Sequence, residues 1–307
     1  MKSEVKIWSP ATVANLNVGF DTLGCALAAP GEIMKLKRID DPGRVVINCI
    51  EGADLDLNPE NNVASVAAKS LLNSLGNPCG IEIEIQKTIL PGSGIGSSAS
   101  SAAAAVVGVN ELLQAELRLD ELIPFALDGE FLASGARHAD NIAPAIMGGL
   151  VLCPPQGAFH VLPVPPNWHI VILHPQVPVR TLEAREVLPV HVSLAAAVEQ
   201  SAWLGSFVAS CFEGDGASAA LALKDLYIGP YRSALIPHFD SIREIAMERG
   251  ARAGGISGSG PSTFWIALNS DDAQSIAEGI QAFMSNTDID YRLYSTQIAP
   301  KGAHLIQ

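Results

Sequence analysis

Cysteine is scarce in this chain and forms no obvious pairs. The five residues, Cys25, Cys49, Cys79, Cys153 and Cys211, make an odd number and include no Cys-x-x-Cys. That argues against a disulfide framework and a thiolate zinc site, and for a reduced, cytoplasmic setting. Basic residues are also few: 19 Lys and Arg face 32 Asp and Glu, a formal charge of −13. Non-specific binding to nucleic acid or to an anionic membrane needs a basic surface, so neither partner is expected. No apolar run reaches the length of roughly 18 residues that a membrane span needs. The opening "MKSEVKIWSP" holds no signal-like apolar stretch. An anionic ligand must therefore be held locally, by backbone N–H groups or a few chosen arginines.

What is present is the composition of a globular protein: 48% hydrophobic and 17% charged over 307 residues. The length suits one large domain or two ordinary ones, with a substantial core. Strands are expected at Arg44–Ile50, Gly80–Gln86, Ile170–Leu173, Ser262–Leu268 and Tyr291–Thr296. Helices are expected at Asn62–Gly76, from Ser98 to about Leu113, at Asp120–Ser134, Ser193–Glu213, Ser233–Arg249 and Asp271–Asn286. "LCPPQGAFHVLPVPPNWH" (Leu152–His169) holds five prolines and is the expected domain junction. Mixed elements on both sides of it predict a two-lobed α+β protein with a ligand cleft between the lobes.

Two glycine-rich stretches carry the chemical signal. "LPGSGIGSSASSAAAAVV" (Leu90–Val107) runs from flexible residues straight into helix formers. Glycines let a backbone approach a ligand, and a helix starting there leaves unpaired N–H groups and a positive dipole end facing an anion. No lysine follows the last glycine, as a P-loop requires, and G-x-G-x-x-G is absent. A plain turn before a buried helix remains an alternative. The second stretch, "GGISGSGPSTFWIAL" (Gly254–Leu268), suits a loop closing over a bound group from the other lobe.

Together with the N-terminal "SPATVANLNVGFDTLGCAL" (Ser9–Leu27), these stretches resemble the GHMP small-molecule kinases, in their homoserine kinase branch. "GEFLASGARHADNIAPAIMGG" (Gly129–Gly149), "RTLEAREVLP" (Arg180–Pro189) and "PYRSALIPHF" (Pro230–Phe239) extend the match in order along nearly the whole chain. One small departure is Ile95, where leucine or methionine is usual in the family.

The resemblance implies an α+β fold of two lobes: residues 1–155 with the phosphate loop, and residues 156–307 forming a ferredoxin-like lobe. It implies ATP and Mg²⁺, transfer to the side-chain hydroxyl of L-homoserine on the route to threonine, and a homodimer. It places ATP on Pro91, Gly92, Ser93, Gly94, Ile95, Gly96, Ser97, Ser98, Ala99, Ser100 and Ser101, with Gly258 and Gly260 from the second loop. Asn62 and Lys87 match positions that contact adenine, although Asn62 suits a helix cap equally well. Ser98 and Glu130 are the implied Mg²⁺ ligands, since magnesium is usually held by a carboxylate, phosphate oxygens and waters.

Homoserine is a zwitterion, so its site needs an anion for the ammonium and a donor fork for the carboxylate. Asp21 beside Asn15 fits the first role, Arg185 and Arg232 the second, and His138 a further hydrogen bond. Asn141 is expected to orient the nucleophilic hydroxyl, with Asp140 supporting the loop rather than acting as base. A side chain at Gly96 is expected to block phosphate while sparing the fold, because the position lies in a loop. Two rivals are a GHMP kinase for another alcohol, such as mevalonate or a sugar, and a non-catalytic sensor.

Overall fold

The computed structural model describes residues 1–179 and 181–306, without the side chains of Ser134, Thr181 and Leu182. The chain runs β1 (Glu4–Ala14), β2 (Leu23–Ile39), β3 (Val45–Glu51), α1 (Val63–Ser74), β4 (Gly80–Gln86), α2 (Ser97–Leu113), α3 (Leu119–Ser134), α4 (Ala139–Met147), β5 (Leu150–Leu152) and β6 (His160–Leu162). It continues through β7 (His169–Pro175), α5 (Thr181–Glu186), α6 (Leu194–Glu213), α7 (Gly216–Leu221), α8 (Gly229–Arg232), α9 (Phe239–Glu248), β8 (Ala253–Ile256), β9 (Thr263–Ala267), α10 (Ser270–Met284), β10 (Tyr291–Thr296) and β11 (His304–Ile306).

The alternating apolar pattern of β4 buries Ile81, Ile83 and Ile85 and leaves Glu82 and Glu84 on the wet face. There Glu82 faces Lys37 and Glu84 faces Lys35 on β2. The first sheet has the order β11-β1-β2-β4-β3, with β5 on β2 and β6 on β5. Its pairings are antiparallel except β3–β4. Helix α2 lies against it, and Ala102, Ala103, Ala104 and Ala105 are fully buried. Small side chains keep this helix thin, so β1, β2, α1 and α3 all pack closely around it.

The second sheet runs β10-β7-β9-β8, entirely antiparallel. With α10 between β9 and β10, and helices between β7 and β8, this is the βαββαβ order of a ferredoxin-like lobe. Val171, Leu173, Trp265 and Ala267 pack under α9 and α10. The opposite face, with Ile170, Ile172, Phe264 and Ile266, shares one core with Val13, Leu16, Leu23 and Leu27 of the first lobe. The lobes are thus joined by continuous apolar packing, which fixes the width of the cleft between them.

Sheet membership departs from a division at residue 155. Strand β6, inside the proline-rich stretch, extends the first sheet, and β11 returns to it from the far end of the chain. The helix expected at Ser233–Arg249 is also broken. A 3₁₀ turn covers Ser233–Leu235, and α9 begins at Phe239 after Pro237 and a left-handed His238. Proline cannot continue the preceding helical hydrogen bonds. Among the described residues no helix is long and apolar enough to cross a membrane.

Candidate active site

Helix α2 begins without help from side chains. Its N-cap is Gly96, which makes no side-chain cap hydrogen bond, and its first turn holds no acidic residue. An N-terminus of this kind presents bare N–H groups and a positive dipole end to whatever lies in front of it. In front lies a cavity of about 880 Å³ between the lobes.

The two glycine loops clasp each other at its edge. Ser257 Oγ donates to Gly94 O at 2.8 Å, and Ser262 N and Oγ both donate to Ser93 O. A Cβ on Gly94, where φ is +80°, would lie 2.5 Å from Gly260 O, so this crossing admits only glycine.

Most of the expected nucleotide residues line the cavity: Pro91, Gly92, Ser93, Gly94, Gly96, Ser97, Ser98, Ser101, Asn62, Lys87 and Gly258. Four expected contacts lie off it. Ile95 and Ala99 are buried in the apolar cores, Ser100 Oγ donates to Ser9 O, and Gly260 faces Ile236 and Ile256. Asn62 does act as a cap, its Oδ1 accepting from Ala64 N at 3.0 Å.

Lys87 departs most from expectation. Its ammonium is buried and donates to Glu32 Oε2 at 2.6 Å, Ser101 Oγ at 2.7 Å and Ser97 O at 2.8 Å. Ser101 Oγ in turn donates to Glu32 Oε1 at 2.6 Å. All three ammonium donors are engaged, so only the methylene stem of Lys87 is left to meet a base. The network ties strand β2 to the start of α2 and sets where the bare helix end points.

At the other end of the cavity Asn15, Asp21, His138, Arg185 and Arg232 come together from both lobes. Asn15, Leu16 and Asn17 are three consecutive residues with positive φ. This tight turn is fixed by hydrogen bonds. Asn15 Oδ1 accepts from Asp21 N at 2.9 Å, and Asn17 Nδ2 donates to Gly254 O at 2.9 Å.

Asp21 forms a forked ion pair with Arg185, with N–O distances of 3.0 and 3.2 Å, and its Oδ1 lies 3.3 Å from His138 Nδ1. Burial holds the His138 pKa below its usual value against the pull of Asp21, and Arg185 adds to the lowering. Arg232 is buried and donates to Ala184 O at 2.7 Å and to Gly258 O at 2.9 Å. Arg180, which opens the matched segment, lies outside the described residues.

Two residues of the matched N-terminal segment, Phe20 and Thr12, were assigned no role from the sequence. Phe20 underlies both guanidinium groups, at 5.5 Å from Arg185 and 5.3 Å from Arg232. Thr12 Oγ1 donates to Asn141 Oδ1 at 2.6 Å. With its oxygen engaged, Asn141 is left with N–H donors for the cavity. Asp140, in the first turn of α4, is buried and lines the cavity. Burial, then repulsion from Asp21 and Glu130, raises its pKa to about 7.

Glu130, on α3, lines the same cavity as Ser98. Among the described residues no group of three or more His, Cys, Asp or Glu could hold a metal by itself. The donors present therefore fit a magnesium ion that arrives with phosphate rather than a protein-caged metal.

Two family descriptions match the chain: GHMP kinases N terminal domain over residues 62–149, and GHMP kinases C terminal over residues 207–286. The homoserine kinase of Xylella fastidiosa (strain 9a5c) is 39% identical over 306 residues, covering 99% of this chain and 94% of that protein. That of Chloroherpeton thalassium is 35% identical and covers 99% of each. The crystal structure of homoserine kinase from Cytophaga hutchinsonii superposes with a TM-score of 0.94 at 38% identity, covering 100% of this chain and 98% of that one. The glycine clasp, the bare helix end and the paired charges across the cavity thus sit in a chain that belongs to the GHMP kinase family, in its homoserine kinase branch.

Proposed function

We propose that this chain transfers the γ-phosphoryl group of ATP to the side-chain hydroxyl of L-homoserine, giving O-phospho-L-homoserine and ADP on the route to threonine. The observation that carries this reading is the single cavity that joins a bare helix N-terminus to a zwitterion-sized set of charges. Both ends of an in-line transfer then sit on rigid elements.

The phosphates lie along Gly92–Ser98, where N–H groups and the helix dipole oppose their charge. Glu130 and Ser98 would hold magnesium, which would neutralise charge on the phosphates. The Asp21–Arg185 pair opens for the substrate: Asp21 takes the ammonium, and Arg185 and Arg232 take the carboxylate. A zwitterion can replace each partner of that pair with its own opposite charge, so neither group is left bare. An Asn141 amide N–H donates to the hydroxyl oxygen and aims it. The oxygen–phosphorus bond forms as the β–γ bridging bond breaks towards ADP, and the hydroxyl proton passes late to a transferred phosphoryl oxygen.

A second reading gives that proton to Asp140. A carboxylate whose pKa lies near 7 is matched to general-base work, and Asp140 lines the cavity. The proposal includes a cytoplasmic location and a homodimer, as the family resemblance implies.

ADP release measured with homoserine, threonine, serine, mevalonate and galactose tests the assignment. The rate should be highest with homoserine. A preference for mevalonate or galactose would reassign the substrate, and no release with any alcohol would make the chain a sensor. Asp140→Asn separates the two proton routes: a nearly dead, folded variant makes Asp140 the base.

A further inference from the structure

The face that the second sheet turns towards the first lobe is apolar over most of its length. Ile170 and Ile172 of β7, with Phe264 and Ile266 of β9, belong to the core shared between the lobes. Two positions beyond Ile172 the same face carries a histidine, His174. On one side His174 pairs with Arg292 of β10. On the other, the register that sets Leu173 against Thr263 brings His174 beside Ser262. Arg292, His174 and Ser262 thus form one polar row across three strands.

Both outer members of this row hold the loop that leads into α2. Arg292 Nη1 donates to Thr88 O at 3.0 Å, and Ser262 donates through N and Oγ to Ser93 O. His174 lies between them and so faces the stretch from Thr88 to Ser93, yet it bonds to none of it. Among the described residues its ring has no hydrogen-bond partner, although only 5% of the residue is exposed. It opens instead on the cavity, whose wall it shares with Leu90, Pro91, Gly92 and Ser93.

A polar ring withdrawn from water without a partner destabilises a fold, and most buried polar groups are paired. Packing alone does not call for a histidine beside Ile172, where an apolar side chain would suit the shared core. An acceptor that arrives in the cavity gives the ring a role. Burial, and then the Arg292 guanidinium, lowers the His174 pKa to about 4. The ring is therefore neutral near neutral pH, with one N–H to give.

We infer that His174 is a nucleotide-binding residue that donates an imidazole N–H to a phosphate oxygen, from the lobe opposite α2. Ser93, anchored beside it, lies in the Gly92–Ser98 run that the nucleotide reading gives to the phosphates. Arg292 next to the ring favours an anionic acceptor there over a neutral one, and a hydrogen bond to an ionised acceptor is the stronger kind. The phosphates are then held on two sides, by the backbone N–H groups of the loop and by a side chain of the other lobe. The inference rests on the nucleotide reading of the cavity and not on homoserine as the acceptor.

Binding of ADP by calorimetry and of adenosine by ligand-observed NMR, both to the intact chain with Mg²⁺ present, tests it. His174→Leu removes the donor and suits the apolar face. It should weaken ADP binding by about 10- to 100-fold and leave adenosine binding unchanged. His174→Gln keeps an N–H donor and should recover most of the ADP affinity. In steady state His174→Leu should raise the KM for ATP and leave that for homoserine alone. Weakened ADP with retained adenosine supports the inference even in a chain that does not use homoserine. Unchanged ADP affinity in His174→Leu overturns it. So does an equal loss for ADP and adenosine, which would make the ring structural. A wild-type chain that binds no ADP overturns it together with the nucleotide reading.

Discussion

Replacing Gly96 by alanine tests the geometry of the site with a single methyl group. Gly96 has φ +69° and caps α2. A Cβ there would lie 1.9 Å from Thr12 Oγ1, 3.2 Å from Thr12 Cβ and 3.1 Å from Asn141 Oδ1. Thr12 is fully buried in β1 and cannot withdraw, so its hydroxyl must rotate and release Asn141. The left-handed backbone costs a non-glycine residue roughly 1–2 kcal/mol. A buried hydrogen bond broken with its partner left behind costs about 1–3 kcal/mol. The sum is about 2–5 kcal/mol, or a fall in Tm of roughly 5–15 °C. The fold is therefore not spared as the loop position suggested, because this loop residue packs directly on β1. The released Asn141 should lower kcat about 100-fold, as expected for a misplaced aligning group. Thermal unfolding and steady-state ADP release check both numbers. Thr12→Val, which keeps the shape but drops the hydroxyl, should lower kcat while leaving the KM for ATP alone. A Gly96→Ala enzyme with wild-type Tm and kcat would refute the packing argument.

Asp140 should make the protein less stable as pH rises. Its folded pKa is raised to about 7, so the native state holds a proton that the unfolded chain loses above about pH 4. Stability then falls from about pH 4 to pH 7, by up to about 4 kcal/mol, and urea titrations at pH 4 and 8 should show Asp140→Asn gaining far more on wild type at pH 8 than at pH 4. Phe20→Leu removes the ring beneath Arg185 and Arg232, and should raise the KM for homoserine by about 5- to 30-fold with little effect on ATP. Phe20→Tyr should recover most of it, and equal losses for both substrates would make the ring merely structural. Glu130→Gln should raise the Mg²⁺ concentration needed for half-maximal rate while sparing homoserine affinity; an unchanged Mg²⁺ titration removes Glu130 from the site.

The fold was legible where local pattern and final environment agree. The alternation in Gly80–Gln86 and the alanine run after Ser97 became β4 and α2 almost to the residue, because each buries the face its period dictates. The Ser233–Arg249 helix failed at Pro237, whose backbone chemistry outweighed the apolar spacing around it. The charge set at Asp21, His138, Arg185 and Arg232 was readable as a list of residues, but its pairing was not. Asp21 and Arg185 are 164 positions apart, and only the folded lobes bring them to 3.0 Å. The pairing of Lys87 was hidden for the same reason: Lys87 lines the cavity as expected, but its partner Glu32 lies 55 positions away, on a strand whose sequence shows no sign of the pair. Thr12 lies within β1 and Phe20 in the turn that follows it, both inside the matched N-terminal segment, and nothing in that segment shows what they touch. Their roles exist only in relation to Arg185 and Arg232, and to Asn141, 129 positions from Thr12, which the fold brings against them.

Strand β11 pairs Leu305 with Ile7 and His304 with Trp8, so a segment made long after β1 completes the sheet that β1 begins. At roughly 5–20 residues per second a ribosome needs on the order of 15–60 s to make the intervening chain. For that interval β1 has an open edge, with its N–H and C=O groups available to any other extended chain. Helices α1 to α4 can cover the face of the young sheet, but none of them can cap that edge. The nascent chain thus carries an open strand edge throughout that interval, and a holdase that covers β1 until β11 emerges would protect it from strand-to-strand aggregation.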